Sequence, residues 1–151
     1  MASAILAILA AAILPSARLF AKRQKEIELR RSLREIRTAL DQFHRAASGG
    51  LPGVTIKIEG VANLDPAGRY PETLPALVEG VECNLPFKYK FLRRIPKDPF
   101  NFDNDELDDS GWKCRSFQDD PDSTSWGKQN VYDIRSGSEA RALDGSLYRN
   151  W

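Results

Sequence analysis

The chain has 151 residues, which is the length of one domain, and its 22 Lys and Arg residues nearly balance its 21 Asp and Glu residues. It contains two cysteines, which form no CxxC pair, and one histidine, His44, which is predicted to lie on a long helix and to face solvent. This composition argues against a zinc site, for which these residues supply too few ligands, and against a nucleophilic triad built on a histidine base.

Charge is distributed unevenly along the chain. Residues 1–50 contain nine Lys and Arg against four Asp and Glu, a net charge of +5, and residues 51–151 contain thirteen against seventeen, a net charge of −4. Within the second part, residues 101–125 contain eight acids and two bases. The basic N-terminal part, which we call the stem, and the acidic C-terminal part, which we call the head, can attract each other between copies of the chain. A solvated basic helix followed by an acidic loop is the plainer interpretation of the same charges.

One long helix is predicted from Ala2 to about Ser48, and its two halves differ. Residues 2–14 are small or apolar except for one serine, whereas residues 21–47 are charged and amphipathic. At about 1.5 Å per residue the helix would be roughly 70 Å long, so most of it is expected to project from the head. In the second half, apolar residues recur at steps of three and four, the spacing of one helical face. The residues predicted to pack on the head are Leu29, Leu33, Ile36, Leu40 and Phe43.

The apolar start of this helix is too short to cross a membrane as it stands. Its thirteen residues would cover about 20 Å, whereas the hydrocarbon core is about 30 Å thick. A signal peptide would have a basic flank before it and a cleavage site after it, but here the basic residues Arg18, Lys22 and Arg23 follow directly. A buried core helix is a second interpretation. We favour a third, in which the native apolar segment begins several residues before Met1.

Residues 49–151 are predicted to form a small head. The alternating run at residues 54–58 predicts a short strand or an extended connection. A short helix is expected at Leu74–Glu79 with Thr73 as its N-cap, and alternating patterns predict strands at Gly111–Phe117 and Asn130–Arg135. The fold class predicted from this order is α+β, a long N-terminal helix packed on a small antiparallel sheet. The predicted organisation has three parts: an apolar segment (1–20), an amphipathic helix (21–48) and the head (49–151).

No pattern in the head predicts catalysis or nucleic-acid binding. The stretch at residues 88–94 is basic and aromatic, but it lacks a motif that enters a nucleic-acid groove. An acidic run also follows it in the sequence. The acidic run at residues 103–109 fails as an EF-hand, because its sixth position is Asp108 rather than Gly and its twelfth is Cys114 rather than Glu. The chain also contains no phosphate loop and no nucleophile with a matching base, so it is predicted not to be an enzyme.

The two cysteines leave two alternatives open. In an oxidising compartment, a disulfide between Cys83 and Cys114 would contribute about 2–4 kcal/mol. Otherwise both are buried free thiols.

Several stretches of the chain are informative through their order and spacing: ILAILAAAILP (5–15), KEIELRRSLREIRTAL (25–40), Tyr70-Pro71, IPKDPF (95–100), VYDIRSGS (131–138), Leu-Asp-Gly (143–145) and the final Trp151. Taken in this order, they give the chain a resemblance to the major pseudopilins of type II secretion systems, which belong to the type IV pilin superfamily. The resemblance covers nearly the whole chain.

This resemblance implies a pilin-like fold and a structural subunit without an active site. Its apolar helix would hold it in the bacterial inner membrane as a single-pass protein with a periplasmic head. It would then self-assemble into a pseudopilus with other pseudopilins and an inner-membrane assembly platform, and nucleic acid is not an expected partner. The residues expected to form the fibre core are Ile5, Leu6, Leu9, Ile13, Leu14 and Pro15.

The resemblance has three departures. The basic leader and the Glu near the mature start of the family are not present before Met1. The basic flank after the apolar run would place the head in the cytoplasm by the positive-inside rule, opposite to the family. Finally, Ser136 and Asp144 are the only residues that match the calcium loop of major pseudopilins, too few oxygen ligands to define a calcium site. The alternatives are a minor type IV pilin or pseudopilin, and a membrane-anchored extracytoplasmic binding module.

Overall fold

The computed structural model describes residues 2–49, 56–58, 68–101 and 110–151, with side chains described from Ser16 onward. The elements, in chain order, are helix α1 (Ala2–Ser48), helix α2 (Ala76–Glu79), strand β1 (Trp112–Arg115), strand β2 (Asp133–Ser136) and a final 3-10 turn (Tyr148–Asn150). This is an α+β layout with one long N-terminal helix and a small antiparallel sheet.

Helix α1 is continuous over 47 residues and supplies one side of the hydrophobic core. The five residues of the predicted stripe are all buried, each with at most 3% of its surface exposed. Ala39, Ala46 and Ala47 on the same helix are buried with them. Their partners are residues of β2, α2 and the loops, including Ile134, Leu74, Leu77 and Tyr148. Removing this much apolar surface from water is the main stabilising contribution of the stem.

The expectation that most of the stem projects from the head is wrong for the described side chains. Contacts with the head begin at Lys22, whose Nζ donates to the main-chain oxygen of Arg141 at 2.7 Å, and continue to the buried Ala47. More than half of the helix therefore lies along the head. Residues 16–21 are all exposed.

The two strands pair antiparallel, with Trp112 opposite Ser136 and Arg115 opposite Asp133. They are shorter than predicted because the main-chain N–H groups beyond β1 find other acceptors. Ser116 N donates to the Asp119 carboxylate and Phe117 N to the Asn130 side chain. The alternation was predicted correctly, since Trp112 and Ser116 are buried and Lys113 and Phe117 are exposed.

Two other predicted elements are shorter in the structure than the sequence predicts. The helix expected at Leu74–Glu79 begins only at Ala76, with Pro75 at the N-cap position and no side-chain cap from Thr73. The extended segment expected around residues 54–58 is represented by Ile58, which forms a single antiparallel bridge with Cys83. Val54 and the acidic run at 103–109 lie outside the described residues.

A buried carboxylate, Asp98, joins the loop before β1 to the end of β2. Its oxygens accept hydrogen bonds from Phe100 N at 2.9 Å, Ser136 Oγ at 2.6 Å and Gly137 N at 3.1 Å. Its own main-chain N–H donates to Ser110 O at 2.8 Å. Asn101 completes the junction by donating to Gly111 O at 2.7 Å, and a Cβ on either Gly111 or Gly137 would collide with Asn101. These glycines therefore allow the close approach on which the network depends.

Replacing Leu40 by Asp should unfold the head, because it removes a buried anchor of the stem and introduces a charge that the core cannot solvate. The expected loss is more than about 4 kcal/mol. The measurement is the melting temperature of residues 21–151, with thermal unfolding monitored by circular dichroism. Thr38→Asp, two positions away on the exposed face, is the control and should lower the melting temperature only slightly. An unchanged melting temperature for Leu40→Asp would contradict the packing of the stripe.

Replacing Asp98 by Asn should cost about 2–3 kcal/mol, because an amide offers one acceptor oxygen where three donors converge on a buried carboxylate. Urea denaturation measures the free energy of unfolding of each variant. Asp120→Asn is the matched control, since Asp120 is exposed and should change the stability by less than about 0.5 kcal/mol. Equal stabilities for the two variants would show that the Asp98 network contributes little.

Candidate interaction surfaces

The two candidate calcium ligands implied by the resemblance, Ser136 and Asp144, lie in separate hydrogen-bond networks. Ser136 Oγ donates to Asp98, whereas Asp144 Oδ1 accepts from Ser146 N at 2.9 Å and Ser146 Oγ at 2.6 Å. The Ser146 hydroxyl lowers the pKa of Asp144 below its usual value. Ser136 and Asp144 therefore do not by themselves form one ligand set. Across the described ranges, no group of three or more His, Cys, Asp and Glu is arranged to hold a metal ion.

The structure has both cysteines as free thiols, so of the two alternatives the disulfide is not formed. Cys83 is buried, and its Sγ lies 3.5 Å from the main-chain oxygen of Phe87, to which it donates. Cys114 lies within β1 opposite Ile134. Each sulfur is thus held in a different part of the head.

The residues expected to form the fibre core, Ile5, Leu6, Leu9, Ile13, Leu14 and Pro15, all lie within α1, but their side chains are outside the described residues. The helix continues through Pro15 without a break. Among the described residues, no helix combines the length and apolar character needed to cross a bilayer.

One turn after Lys22, a carboxylate clamp around Glu26 holds the stem to the head. Glu26 Oε1 accepts from the Tyr148 hydroxyl at 2.8 Å and from Leu143 N at 2.8 Å. Tyr148 is fully buried and stacks on Phe100 at 4.1 Å. Burial, followed by the hydrogen bond to Glu26, raises the pKa of the Tyr148 phenol well above its usual value. The hydroxyl therefore stays protonated and continues to donate at any ordinary pH.

Arginines of the stem make the next docking contacts. The guanidinium of Arg30 lies 4.2 Å from the ring centre of Trp151, a cation–π contact. Two turns further along the helix, Arg37 Nε donates to Asp133 Oδ1 at 2.8 Å, and its Nη2 donates to the main-chain oxygens of Ile134 and Trp151. Asp133 also pairs with Arg115 at 3.3 Å. The stem is thus fastened to β2 and to the end of the chain by directional contacts beside the apolar stripe.

Two large apolar side chains are exposed on the outer face of the stem, Phe20 at 65% and Ile27 at 55%. They are seven residues apart, so they lie nearly in line on one side of the helix. Leu29 follows Ile27 by two residues, about 200° around the helix axis, and is buried against the head. The outer face is therefore nearly opposite the docked face. We call the pair Phe20 and Ile27 the outer stripe.

An aromatic cluster that the sequence did not predict lies where the end of α1 meets the head. His44 was expected to face solvent, but it is half-buried and its ring stacks on Tyr70 at 4.5 Å. Tyr70 also makes an edge contact with Tyr132 at 5.1 Å, and burial raises the pKa of its hydroxyl. Phe117, 49% exposed, completes the cluster by an edge contact with Tyr132. These rings come from four separate segments of the chain, so no local pattern indicates them.

Compared with known proteins, the chain matches no family model, no curated protein and no solved structure. The interpretation of its surfaces therefore depends on their geometry and on the sequence patterns.

Removing the Tyr148 hydroxyl should change how the stability depends on alkaline pH. The folded-state pKa of Tyr148 is raised above the unfolded value of about 10, so its contribution is complete below pH 10 and decreases as the pH rises further. Tyr148→Phe should lose about 1–2 kcal/mol at pH 8 through the missing hydrogen bond, and this deficit should shrink above pH 10.

Urea unfolding at pH 8 and at pH 10.5–11 provides the comparison. Tyr132→Phe is the control, because Tyr132 is partly exposed and its loss should leave the alkaline slope close to that of the unchanged protein. A deficit for Tyr148→Phe that is constant across this pH range would contradict the clamp as described.

Proposed function

We propose that this chain is a structural pseudopilin subunit with a pilin-like fold. It is held in the bacterial inner membrane with its head in the periplasm, and it self-assembles into a pseudopilus that serves type II protein secretion. The role is structural rather than catalytic. The observation that carries the proposal is that one face of α1 docks on the head, whereas the opposite face presents large apolar side chains to solvent.

Helix α1 has a docked part and an apolar part, and this arrangement supports the proposed role. The docked part begins at Lys22 and supplies the core, so the helix is rigidly joined to the head. The apolar sequence of residues 2–14 belongs to the same continuous helix. Such a helix has two environments in which its apolar surface avoids water, a lipid bilayer and a bundle of identical helices. A subunit that exchanges the first environment for the second has the properties of a pseudopilin.

The outer stripe provides a contact for a neighbouring copy. Phe20 and Ile27 are exposed in the isolated subunit, and each would bury a large apolar side chain in a helix bundle. Counting back along the sequence from Phe20 in steps of seven reaches Ile13 and Leu6. This heptad spacing is typical of helices that pack side by side over several turns.

A second candidate is a membrane-anchored extracytoplasmic binding module. The exposed aromatic rings of Phe117 and Tyr132 favour it, because such rings are common at binding surfaces. This candidate and the leading proposal differ in one respect that can be measured, which is whether the native protein polymerises.

Charging the outer stripe should abolish fibre assembly while leaving the head folded. Phe20→Asp and Ile27→Asp each place a charge where the proposal requires a dry helix contact. The native full-length protein would be expressed with a type II secretion system, and fibres would be scored by electron microscopy and by crosslinking. The expected result is loss of fibres with a melting temperature within about 2 °C of the unchanged protein, since these side chains are already exposed. Leu9→Asp, within the apolar run, should have the same effect.

Phe87→Asp is the matched control, because Phe87 is similarly exposed but belongs to the head rather than to α1. It should leave fibre formation intact. Normal fibres from both outer-stripe variants, or a native protein that stays monomeric when the secretion system is present, would contradict the proposal.

A further inference from the structure

The first part of the stem carries positive charge without any negative charge. Residues 1–25 contain four bases and no acid, although the whole chain has a net charge of only +1. The remainder of the chain is therefore acidic on balance. A negatively charged surface would attract this end of the molecule and repel the rest, so the charge distribution favours one orientation on such a surface.

Large apolar side chains are exposed among these bases. Leu19 is 57% exposed and Phe20 is 65% exposed, and they lie between the exposed residues Arg18 and Arg23. Neither of these arginines takes part in an ion pair with another described residue. The rise from residue 18 to residue 23 is about 7.5 Å, close to the roughly 5–8 Å of headgroups on each side of a bilayer. Bases mixed with large apolar side chains are typical of a helix at the boundary between water and hydrocarbon.

A loop of the head lies at the same level of the stem and has the same character. Lys22 Nζ donates to Arg141 O at 2.7 Å, and Leu143 N donates to Glu26 Oε1 at 2.8 Å, so these contacts hold the loop against α1. Arg141 is exposed, and Leu143 is 44% exposed. The head thus adds a base and an apolar side chain to those of the helix. We call this combined surface the basic collar: Arg18, Leu19, Phe20, Arg23, Arg141 and Leu143.

The acids nearest to the basic collar are engaged elsewhere. Glu26 Oε1 accepts from the Tyr148 hydroxyl as well as from Leu143 N. Asp144 accepts from Ser146 and lies 3.8 Å from Arg30, further along the stem. The Arg141 guanidinium donates to the main-chain oxygen of Gly145 at 3.0 Å, which leaves its charge in place. The basic collar therefore keeps its positive charge.

We infer that the basic collar binds the headgroups of anionic phospholipids, at the boundary where the apolar run of residues 2–14 enters the hydrocarbon. The inference rests on the proposed function for placing that run in a bilayer. Guanidinium groups bind phosphate oxygens through paired, charge-assisted hydrogen bonds. Each base near an anionic bilayer strengthens binding roughly fivefold at moderate salt.

The apolar members of the basic collar favour a lipid surface over a soluble polyanion. Leu19, Phe20 and Leu143 would leave water on entering the layer between headgroups and acyl chains, whereas a nucleic acid or free phosphate would leave them exposed. They also continue the apolar run of residues 2–14 along the same helix. Headgroup binding gives the basic flank a role on the side of the head, although the positive-inside rule counts this flank against a periplasmic head.

The test measures how strongly the full chain prefers anionic vesicles, so it does not depend on fibre assembly. The chain is diluted from detergent into vesicles of phosphatidylcholine, alone or with about 30% phosphatidylglycerol, and its partition coefficient is measured by flotation. The expected result is a partition coefficient at least about tenfold higher for the anionic vesicles at about 50 mM salt. This preference should fall severalfold at about 500 mM salt, because salt screens surface charges.

The double variant Arg18→Gln/Arg23→Gln should reduce the anionic preference about tenfold or more and leave partition into neutral vesicles unchanged. Its melting temperature should stay within about 2 °C of the unchanged protein, since both side chains are exposed. Arg93→Gln/Arg94→Gln is the matched control, because it removes the same charge from exposed positions. Arg93 lies in a groove beside Arg34 and Gln42, further along the stem. This control should change the preference less than about twofold.

The loop of the head is tested separately by Leu143→Ser, which keeps the main-chain hydrogen bond to Glu26. This variant should weaken partition into anionic vesicles about threefold or more. Phe117→Ser is its control, since Phe117 is 49% exposed but belongs to the aromatic cluster at the other end of the stem. It should leave the partition coefficient within about twofold of the unchanged protein.

Three outcomes would overturn the inference: equal partition into the two kinds of vesicle, equal losses in the two arginine double variants, or removal of the anionic preference by inorganic phosphate at constant ionic strength. The last result would make the basic collar a site for small anions. Normal fibres from a protein without anionic preference would contradict this inference alone. An anionic preference in a native protein that never polymerises would contradict only the proposed function.

Discussion

The docking of the amphipathic half of α1 is the interaction on which the rest of the structure depends. A two-stranded sheet with four residues in each strand is too small to be stable alone. Eight of the nineteen buried apolar residues in the described core belong to α1, from Leu29 to Ala47. The stem is therefore one wall of the head's core rather than an appendage. The Asp98 network and the Glu26 clamp fix the loops around a core that the stem has already closed.

The two opposite faces of α1 have different surroundings, because one packs on the head and the other is exposed. Directional contacts through Glu26, Arg30 and Arg37 determine which face meets the head, because each depends on a particular rotation of the helix. Once that rotation is fixed, Phe20 and Ile27 necessarily face away from the head. The buried apolar stripe and the polar contacts beside it together decide where apolar surface is left exposed.

Local periodicity predicted the stem, the α+β layout and the alternation of the strands, since these depend on neighbours within one or two turns. Contacts between distant segments were not predictable. Asp98 lies between Pro96 and Pro99 in the sequence, and only the fold brings it to Ser136, 38 residues later. The prediction that His44 faces solvent was wrong because Tyr70, from a distant loop, stacks on its ring. The strand ends were misplaced because Asp119 and Asn130 compete for main-chain N–H groups, a competition that strand propensity does not describe.

The clamp around Glu26 joins an early part of the chain to its last residues, and this has a consequence for synthesis. Tyr148 and Trp151 complete the surface on which the stem rests, although they leave the ribosome more than a hundred residues after Glu26. Domains with such distant contacts close late. Throughout elongation, the amphipathic half of the stem therefore has no finished partner within its own chain. In the proposed pseudopilin role, the apolar leading stretch would be available to a bilayer for the whole of that time, so that its insertion would precede the folding of the head.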